Sequence, residues 1–275
     1  MRTILVIDDD QGLRQTVEEA VGEIGFQVCH ASSAEAVASL LARVHCDLVV
    51  INLETTVIDG VAMIGQLRRA DPRLSLLSVA SRVSSAFVLT SLSNLACDLI
   101  LIPSSVEELR SAIVTAVDDC RIPEMRVLSA RPHWVQLDVP CDLNVVPILQ
   151  KYLTLLHSDV PEETREGIAY AFREMLNNAI EHGGKLDPSN FVEVLFIRMT
   201  HAIIVWIKDP GEGFDIDHLS HAAVGNPEHD PFRHVIVRDE KGLRAGGFGI
   251  LLTHQLVDEL VYNERRNELM FVKYL

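Results

Sequence analysis

The chain has 275 residues, 48% of them hydrophobic and 23% charged, with 39 acidic against 24 basic side chains and a formal charge of −15. That length accommodates two cores of ordinary domain size, the proportions exclude a disordered chain, and the acidic balance excludes docking on nucleic-acid phosphates through a basic face. The opening apolar run stops at Asp8-Asp9-Asp10, too short for a secretory leader or a membrane span, so a cytoplasmic protein is expected.

Short apolar runs alternate with amphipathic stretches over the first 120 or so positions. "TILVID" (3–8) reads as a buried strand, and "GLRQTVEEAVGEIG" (12–25) has helical spacing and stops at Gly25. The unit then repeats. "QVCHA" leads to "SAEAVASLLARV", "DLVVIN" (47–52) to "VAMIGQLRRA", "LSLLSVA" (74–80) to "AFVLTSLSNL", and "DLILI" (98–102) to "SVEELRSAIVTAV". Strands apolar on both faces, each followed by a helix, predict a parallel sheet covered on both sides, hence a flavodoxin-like (βα)5 domain over 1–121. Five cysteines (29, 46, 97, 120 and 141) stand singly beside apolar runs with no paired spacing, the pattern of reduced core thiols.

In such a fold, chemistry collects at the carboxyl ends of the strands. Those ends carry Asp8, Asp9 and Asp10, then Asn52, then the hydroxyl of Ser78, then Ile102-Pro103, with "IDG" (58–60) after the third strand. This set resembles a response-regulator receiver domain. The resemblance implies that Asp8 and Asp9 form an acidic pair for Mg²⁺, and that position 52 is where the family has its phosphoacceptor aspartate. A family lysine is replaced by Ile102, while Pro103 is kept. An amide oxygen is a poor nucleophile for phosphorus, so Asn52 does not accept a phosphoryl group, and the pair without a third carboxylate is a weak site for a hard cation. The domain is expected to be a docking or dimerisation surface. The rival readings are phosphorylation elsewhere, with Thr55, Thr56 and Ser78 as the available hydroxyls, or a ligand held by Asp8 and Asp9.

Pro123 and Pro132 bracket an expected linker, 122–131, before a second domain at 132–275. "HWVQLDVP" alternates as a half-exposed strand. Two helical stretches follow, the second opening on Pro161 with Glu162 and Glu163 in its first turn and ending at Gly183-Gly184. Its last turns carry Glu174, Asn178 and His182 at steps of four, each step about 6 Å along a regular helix and about 40° around it, so one polar stripe is predicted beside Met175, Leu176, Ala179 and Ile180. A solvated helix face would look the same. The strand "AIIVWIK" then runs into Asp209-Pro210-Gly211-Glu212-Gly213, where a carboxylate at the end of a buried strand needs a donor and the glycines allow a ligand close to the backbone. A polar segment, 215–244, precedes Gly246, Gly247 and Gly249 at the start of a helix, a turn suited to phosphates. "LVYNE" and "ELMFVKYL" close the chain as a strand pair.

The three motifs "EMLNNAIEHGG", "DPGEGF" and "GGFGI", in this order, resemble the GHKL ATPase fold, an α/β sandwich, and within it the anti-sigma-factor serine/threonine kinase family. The resemblance implies ATP and Mg²⁺ as cofactors. Asn178 would hold Mg²⁺ against the phosphates with His182 nearby, and Asp209 would accept from the adenine amine. Gly211 and Gly213 would shape that pocket, Gly246, Gly247 and Gly249 would admit the phosphates, and Glu174 would be the base for a substrate hydroxyl. The segment 215–244 would be a lid. Its His218, His221, His229 and His234 lack the spacing of a zinc site, and Arg233, Arg238, Lys241 and Arg244 either meet phosphates or are solvated charges.

The 122–131 stretch is too short for the helical hairpin of a self-phosphorylating histidine kinase. Two functions remain open. One is transfer of the γ-phosphoryl of Mg·ATP to a serine or threonine of an anti-sigma-factor antagonist in a partner-switching pathway. The other is nucleotide-dependent sequestering of a protein without transfer. The partners implied are such an antagonist, a sigma factor or a phosphatase, with a homodimer expected by analogy and neither nucleic acid nor membrane involved.

Overall fold

The computed structural model describes residues 2–9, 11–22, 25–56, 58–102, 104–118, 125–213 and 248–275. Two compact units divide the chain, Met1–Ile122 and Pro123–Leu275.

The first unit runs β1 (Arg2–Ile7), α1 (Gly12–Val21), β2 (Phe26–Ala31), α2 (Ala34–Leu41), β3 (Leu48–Asn52), α3 (Gly60–Ala70), β4 (Ser75–Ala80), α4 (Ser85–Ser93), β5 (Asp98–Leu101) and α5 (Val106–Asp118). All pairings are parallel, in the order β2-β1-β3-β4-β5, which is the flavodoxin-like arrangement expected. Ile4, Leu5, Val6 and Ile7 are all fully buried, because helices cover both faces; this is why the run shows no alternation. The strand order reverses between β1 and β3, so the crevice at their carboxyl ends receives Asp8, Asp9 and Asn52. The Asp59 carboxylate caps α3 by accepting the Ala62 N–H at 3.0 Å. Gly60 lies against Asn52 so closely that a Cβ would overlap the Asn52 carbonyl oxygen, so "IDG" is a packing requirement in its own right. Helix α1 ends at Val21, short of the expected Gly25, which instead takes a left-handed turn at φ +77°.

The second unit contains β6 (Arg126–Arg131), β7 (Trp134–Pro140), α6 (Val145–Leu156), α7 (Glu162–Asn178), a π turn (Ala179–Gly183), β8 (Phe191–Arg198), β9 (Ala202–Lys208), α8 (Gly249–Leu256), β10 (Glu259–Tyr262) and β11 (Glu268–Tyr274). Its sheet is antiparallel throughout, in the order β10-β11-β9-β8-β7-β6. Val192, Val194 and Phe196 of β8 and Ile203, Val205 and Ile207 of β9 are buried, while the residues between Val192 and Phe196 and between Ile203 and Ile207 on the other face are only half-buried. One face is therefore covered, with α7 at the centre of that layer between α6 and α8. Phe172 of α7 meets Phe196 edge to face, with ring centroids 5.0 Å apart. This is the expected α/β sandwich.

Two expectations need correction. Most of the proposed linker is strand: Arg126–Arg131 pairs with β7, with a bulge between Val127 and Ser129. As an edge strand with one partner and arginines at both ends, it lacks the apolar signature of an inner strand. The cysteines are not all reduced thiols either. Cys29, Cys46 and Cys141 are free, but Cys97, partly buried in the turn between α4 and β5 and packed against the core, is disulfide-bonded. Among the described residues, no helix is long and apolar enough to cross a membrane.

Candidate functional site

In the crevice of the first unit, each acidic group is met by donors from the chain itself. The Asn52 amide Nδ2 donates to Asp8 Oδ1 at 3.1 Å, and its Oδ1 accepts the Glu54 N–H at 3.0 Å. The backbone N–H of Glu54 can only donate, so it fixes which way the amide points. Asp8 Oδ1 also accepts the Asp9 N–H at 2.7 Å. Asp9 Oδ2 accepts the Thr56 hydroxyl at 2.8 Å and the Thr56 N–H. Beyond them, the Glu54 carboxylate accepts the Ser81 N–H and pairs with Arg82 at 3.2 Å, tying the loop after β3 to the loop after β4. Its carboxyl is held below the usual glutamate value, chiefly by the Ser81 hydroxyl, then by the Ser81 N–H and Arg82.

Donors thus occupy Asp8 Oδ1 and Asp9 Oδ2, and Asn52 brings a neutral amide in place of a third anionic oxygen. A cation at the acidic pair would have to displace these donors or use the other carboxylate oxygens. Ser78 does not reach the crevice. It lies inside β4, fully buried, in register with Ile51 rather than Asn52, and its hydroxyl has no hydrogen-bond partner among the described residues. Ile102 sits beyond β5 with its N–H on the Ala80 carbonyl, and Asp10 and Pro103 lie outside the described residues.

The second unit brings its expected residues together differently. Asp209 follows β9 directly, half-buried, and accepts one hydrogen bond among the described residues, from the Gly211 N–H to Oδ1 at 2.8 Å. Burial pushes its carboxyl above the usual aspartate range, opposed by that N–H. Two glycines let the backbone pack directly against it. At Gly183 a Cβ would overlap the Asp209 carboxyl group, and at Gly211 it would come within 2.8 Å of Oδ1 and 2.9 Å of the Gly183 Cα. The π turn brings Gly183 there. Its extra residue is visible in the Gly184 N–H donating to the Ala179 carbonyl at 2.8 Å, five residues back. Cys141, behind this turn, has its thiol pushed up to about 11 by burial, with the charges of Asp209 and Asp187 adding, and so stays a protonated, inert thiol.

Glu174 and Asn178 lie half-buried on the last two turns of α7. The Glu174 carboxylate stands between Arg173, 3.3 Å away, and the first residue of α8, where a Cβ on Gly249 would come within 2.7 Å of Oε2. Asn178 ends the regular α-helix. His182 falls in the π turn, exposed, so the three residues do not continue as one uniform stripe. Gly213 takes φ +87°, a conformation open to glycine, directly against the Arg265 carbonyl. Gly246, Gly247 and the 215–244 segment, with its four histidines and Arg233, Arg238, Lys241 and Arg244, lie outside the described residues. Among the described residues, no group of three or more His, Cys, Asp and Glu side chains is placed to hold a metal.

The sequence pattern misses three features of these sites. They are Glu54 with its hold on Ser81, the π turn, and the turn at Asn263–Asn267 that meets the Asp209 loop. Only the glycine pair at 183–184 gave any signal, and it marked a helix end rather than a change of helix type.

Comparison with known proteins divides at the same place as the fold. Residues 4–114 match the response regulator receiver domain family, and residues 141–273 match the histidine kinase-like ATPase domain family. Over 111 residues the chain is 35% identical to the "Probable transcriptional regulator ycf27" of Porphyridium aerugineum, covering 40% of this chain and 45% of that protein. Over 114 residues it is 28% identical to the "Serine-protein kinase RsbW" of Oceanobacillus iheyensis, covering 41% of this chain and 67% of that one. The chain thus spans less than half of the first of these relatives. Among solved structures it is similar to a CheY-like response regulator receiver domain protein from Methanospirillum hungatei JF-1. The identity is 18%, over 43% of this chain and 95% of the other, with a TM-score of 0.41.

Proposed function

From a chain that joins a response regulator receiver domain (4–114) to a histidine kinase-like ATPase domain (141–273), the make-up of an ATP-binding signalling regulator, we propose a serine/threonine protein kinase of the anti-sigma-factor type. It uses Mg·ATP to phosphorylate an antagonist protein in a partner-switching pathway, and its receiver domain acts without phosphorylation at Asn52. The observation that carries the nucleotide reading is Asp209: a half-buried carboxylate at a strand end, with one donor among the described residues, packed directly against Gly183 and Gly211. An exocyclic amine supplies a further donor, and the glycines allow a flat base to approach the backbone closely. The similarity to a serine-protein kinase over two-fifths of the chain supports the choice of reaction.

In this reading Asp209 selects and orients the base. Asn178, at the end of the α-helix and free of side-chain hydrogen bonds to described residues, offers a carbonyl oxygen to the cation, with His182 beside it. Bound Mg·ATP supplies the transferable phosphoryl group and the positive charge that neutralises it. Glu174, between Arg173 and the amino terminus of α8, is where an anionic phosphate and an incoming hydroxyl meet, and it orients that hydroxyl or takes its proton. Gly246, Gly247 and Gly249 admit the phosphates. The protein works in the cytoplasm as a homodimer, on protein partners, in keeping with a charge of −15.

The test is incubation of the purified chain with γ-labelled ATP and candidate antagonist proteins. Label on a serine or threonine of a partner, lost in Glu174→Ala while ATP still binds, is the expected result. ATP binding with no transfer to any partner favours nucleotide-dependent sequestering instead.

A further inference from the structure

We infer that the turn between β10 and β11, Asn263–Asn267, is a brace that positions the Asp209 carboxylate for base selection, with Asn267 as its positioning residue. The inference rests on the nucleotide reading above. Antiparallel pairing of β9 with β11 reaches Glu268↔Lys208, and one further bond, from the Asp209 N–H to the Asn267 carbonyl at 2.9 Å, carries the ladder onto the site residue itself. The Asn267 amide Nδ2 then donates to the Gly211 carbonyl at 3.1 Å, while the Gly211 N–H donates to Asp209 Oδ1 at 2.8 Å. A carbonyl can only accept, so the Asn267 amide nitrogen must face it, and the Asn263 amide, donating to Asn267 Oδ1 at 2.9 Å, satisfies the other end. Asn263, Asn267, Gly211 and Asp209 form one continuous chain of hydrogen bonds.

The turn is itself fixed. The Asn263 N–H donates to the Glu268 carbonyl at 3.0 Å and the Arg266 N–H to the Asn263 carbonyl at 3.1 Å, with Arg266 left-handed at φ +58°. Farther along the loop, Gly213 rests on the Arg265 carbonyl with no room for a side chain. The five-residue segment Asp209–Gly213 is therefore anchored to the turn at its start, its middle and its end. An aspartate leaving the end of a strand would otherwise sample several rotamers, and the conformational cost of choosing one would fall on ligand binding. The brace meets that cost in the free protein and leaves one carboxylate oxygen in a fixed place. A fixed acceptor discriminates: a purine with an amine opposite it binds, and one with a carbonyl opposite it is rejected.

The experiment titrates the full chain with Mg·ATP and with Mg·inosine triphosphate, whose base has a carbonyl in place of the amine, in wild type, Asn267→Ala and Asn263→Ala, with thermal unfolding run in parallel. Wild type should prefer ATP by about tenfold or more. Asn267→Ala should weaken ATP about tenfold and leave inosine triphosphate unchanged, so that the preference collapses while the unfolding midpoint moves little. Asn263→Ala, at an exposed turn position, should lose preference in the same direction by a smaller factor, and gives the answer if Asn267→Ala is unstable. A folded variant that keeps the wild-type preference overturns the brace while leaving the nucleotide reading intact. A wild type that binds neither nucleotide overturns the nucleotide reading, and the brace with it.

Discussion

The crevice of the first unit and the Asp209 loop of the second both place carboxylates at the carboxyl end of a buried strand, yet they solve the same electrostatic problem in opposite ways. In the crevice, Asp8, Asp9 and Glu54 are met by an amide, hydroxyls, backbone N–H groups and a guanidinium, all from within the unit. In the loop, Asp209 is half-buried with a single donor among the described residues, and burial pushes its carboxyl upward. A satisfied anion gains nothing from a ligand and stabilises its own loops; an unsatisfied one is a standing cost that a ligand removes. The contrast supports the proposal that the second site binds a ligand while the first holds its own loops together. It also changes the meaning of Asn52, whose amide does more than fail as a phosphoacceptor: it supplies the donor that closes the acidic crevice.

The largest expected effect comes from removing the unsatisfied anion. Asp209→Asn should cost about 10- to 100-fold in ATP affinity, the worth of one charge-assisted hydrogen bond, measured by calorimetric titration. The nucleotide-free variant should be no less stable than wild type at neutral pH, because a desolvated charge has gone. Wild-type affinity for ATP with a marked loss of stability in the variant would break the contrast.

The second test acts on the crevice. Nucleotide-free wild type should take up no Mg²⁺ in the millimolar range, while Asn52→Asp should bind it about tenfold or more tightly, because an anionic ligand is added and a donor removed. Calorimetry with Mg²⁺ alone reads both. Clear binding by wild type would show that the internal donors yield to a cation.

The smallest effect, and the sharpest in sign, lies in pH. The Glu54 carboxyl is lowered in the fold, so its contribution is present above the unfolded glutamate value and is lost as pH falls through the lower folded value. The Asp209 carboxyl is raised, so its contribution is fully present below the unfolded aspartate value and is lost as pH rises through the folded one. Thermal midpoints measured across the acid range should therefore respond in opposite senses. Glu54→Gln removes the acid-side loss, by less than about 1 kcal/mol at so exposed a pair, and Asp209→Asn removes the gain on acidification. Equal slopes in wild type and both variants would show that neither environment matters.

What the sequence makes legible follows the range of the interactions. Apolar runs read as strands in the first unit because both faces of that sheet are covered, and the alternation in Trp134–Pro140 reads as a strand because only one face of the other sheet is. Strand β6 escapes because an edge strand with charged ends has no apolar pattern, and Phe191–Arg198, although it alternates, is supplied only by the structure. Glu174, Asn178 and Asp209 stand out because motif spacing places them on one helix and at one strand end. Asn267 does not, since its partner Gly211 is 56 positions away and nothing local marks a polar turn as a brace. Ser78 misleads for the opposite reason: parity along β4 decides whether a hydroxyl reaches the crevice or the core, and an uncertain strand end leaves parity open.

The π turn at Ala179–Gly183 has a bearing on which changes of length this helix can absorb. A regular α-helix advances about 100° per residue, so deleting one position from the turn would restore the ordinary register and swing everything after it by about that angle. Gly183 would then leave the face of Asp209, and the close packing of that carboxylate against the turn would be lost. Exchanges of side chain at Glu181 or His182, both outside the core, leave the backbone path intact. Along this segment, chain length is constrained more tightly than residue identity, so relatives that keep the Asp209 cradle should differ here by substitution and not by insertion or deletion.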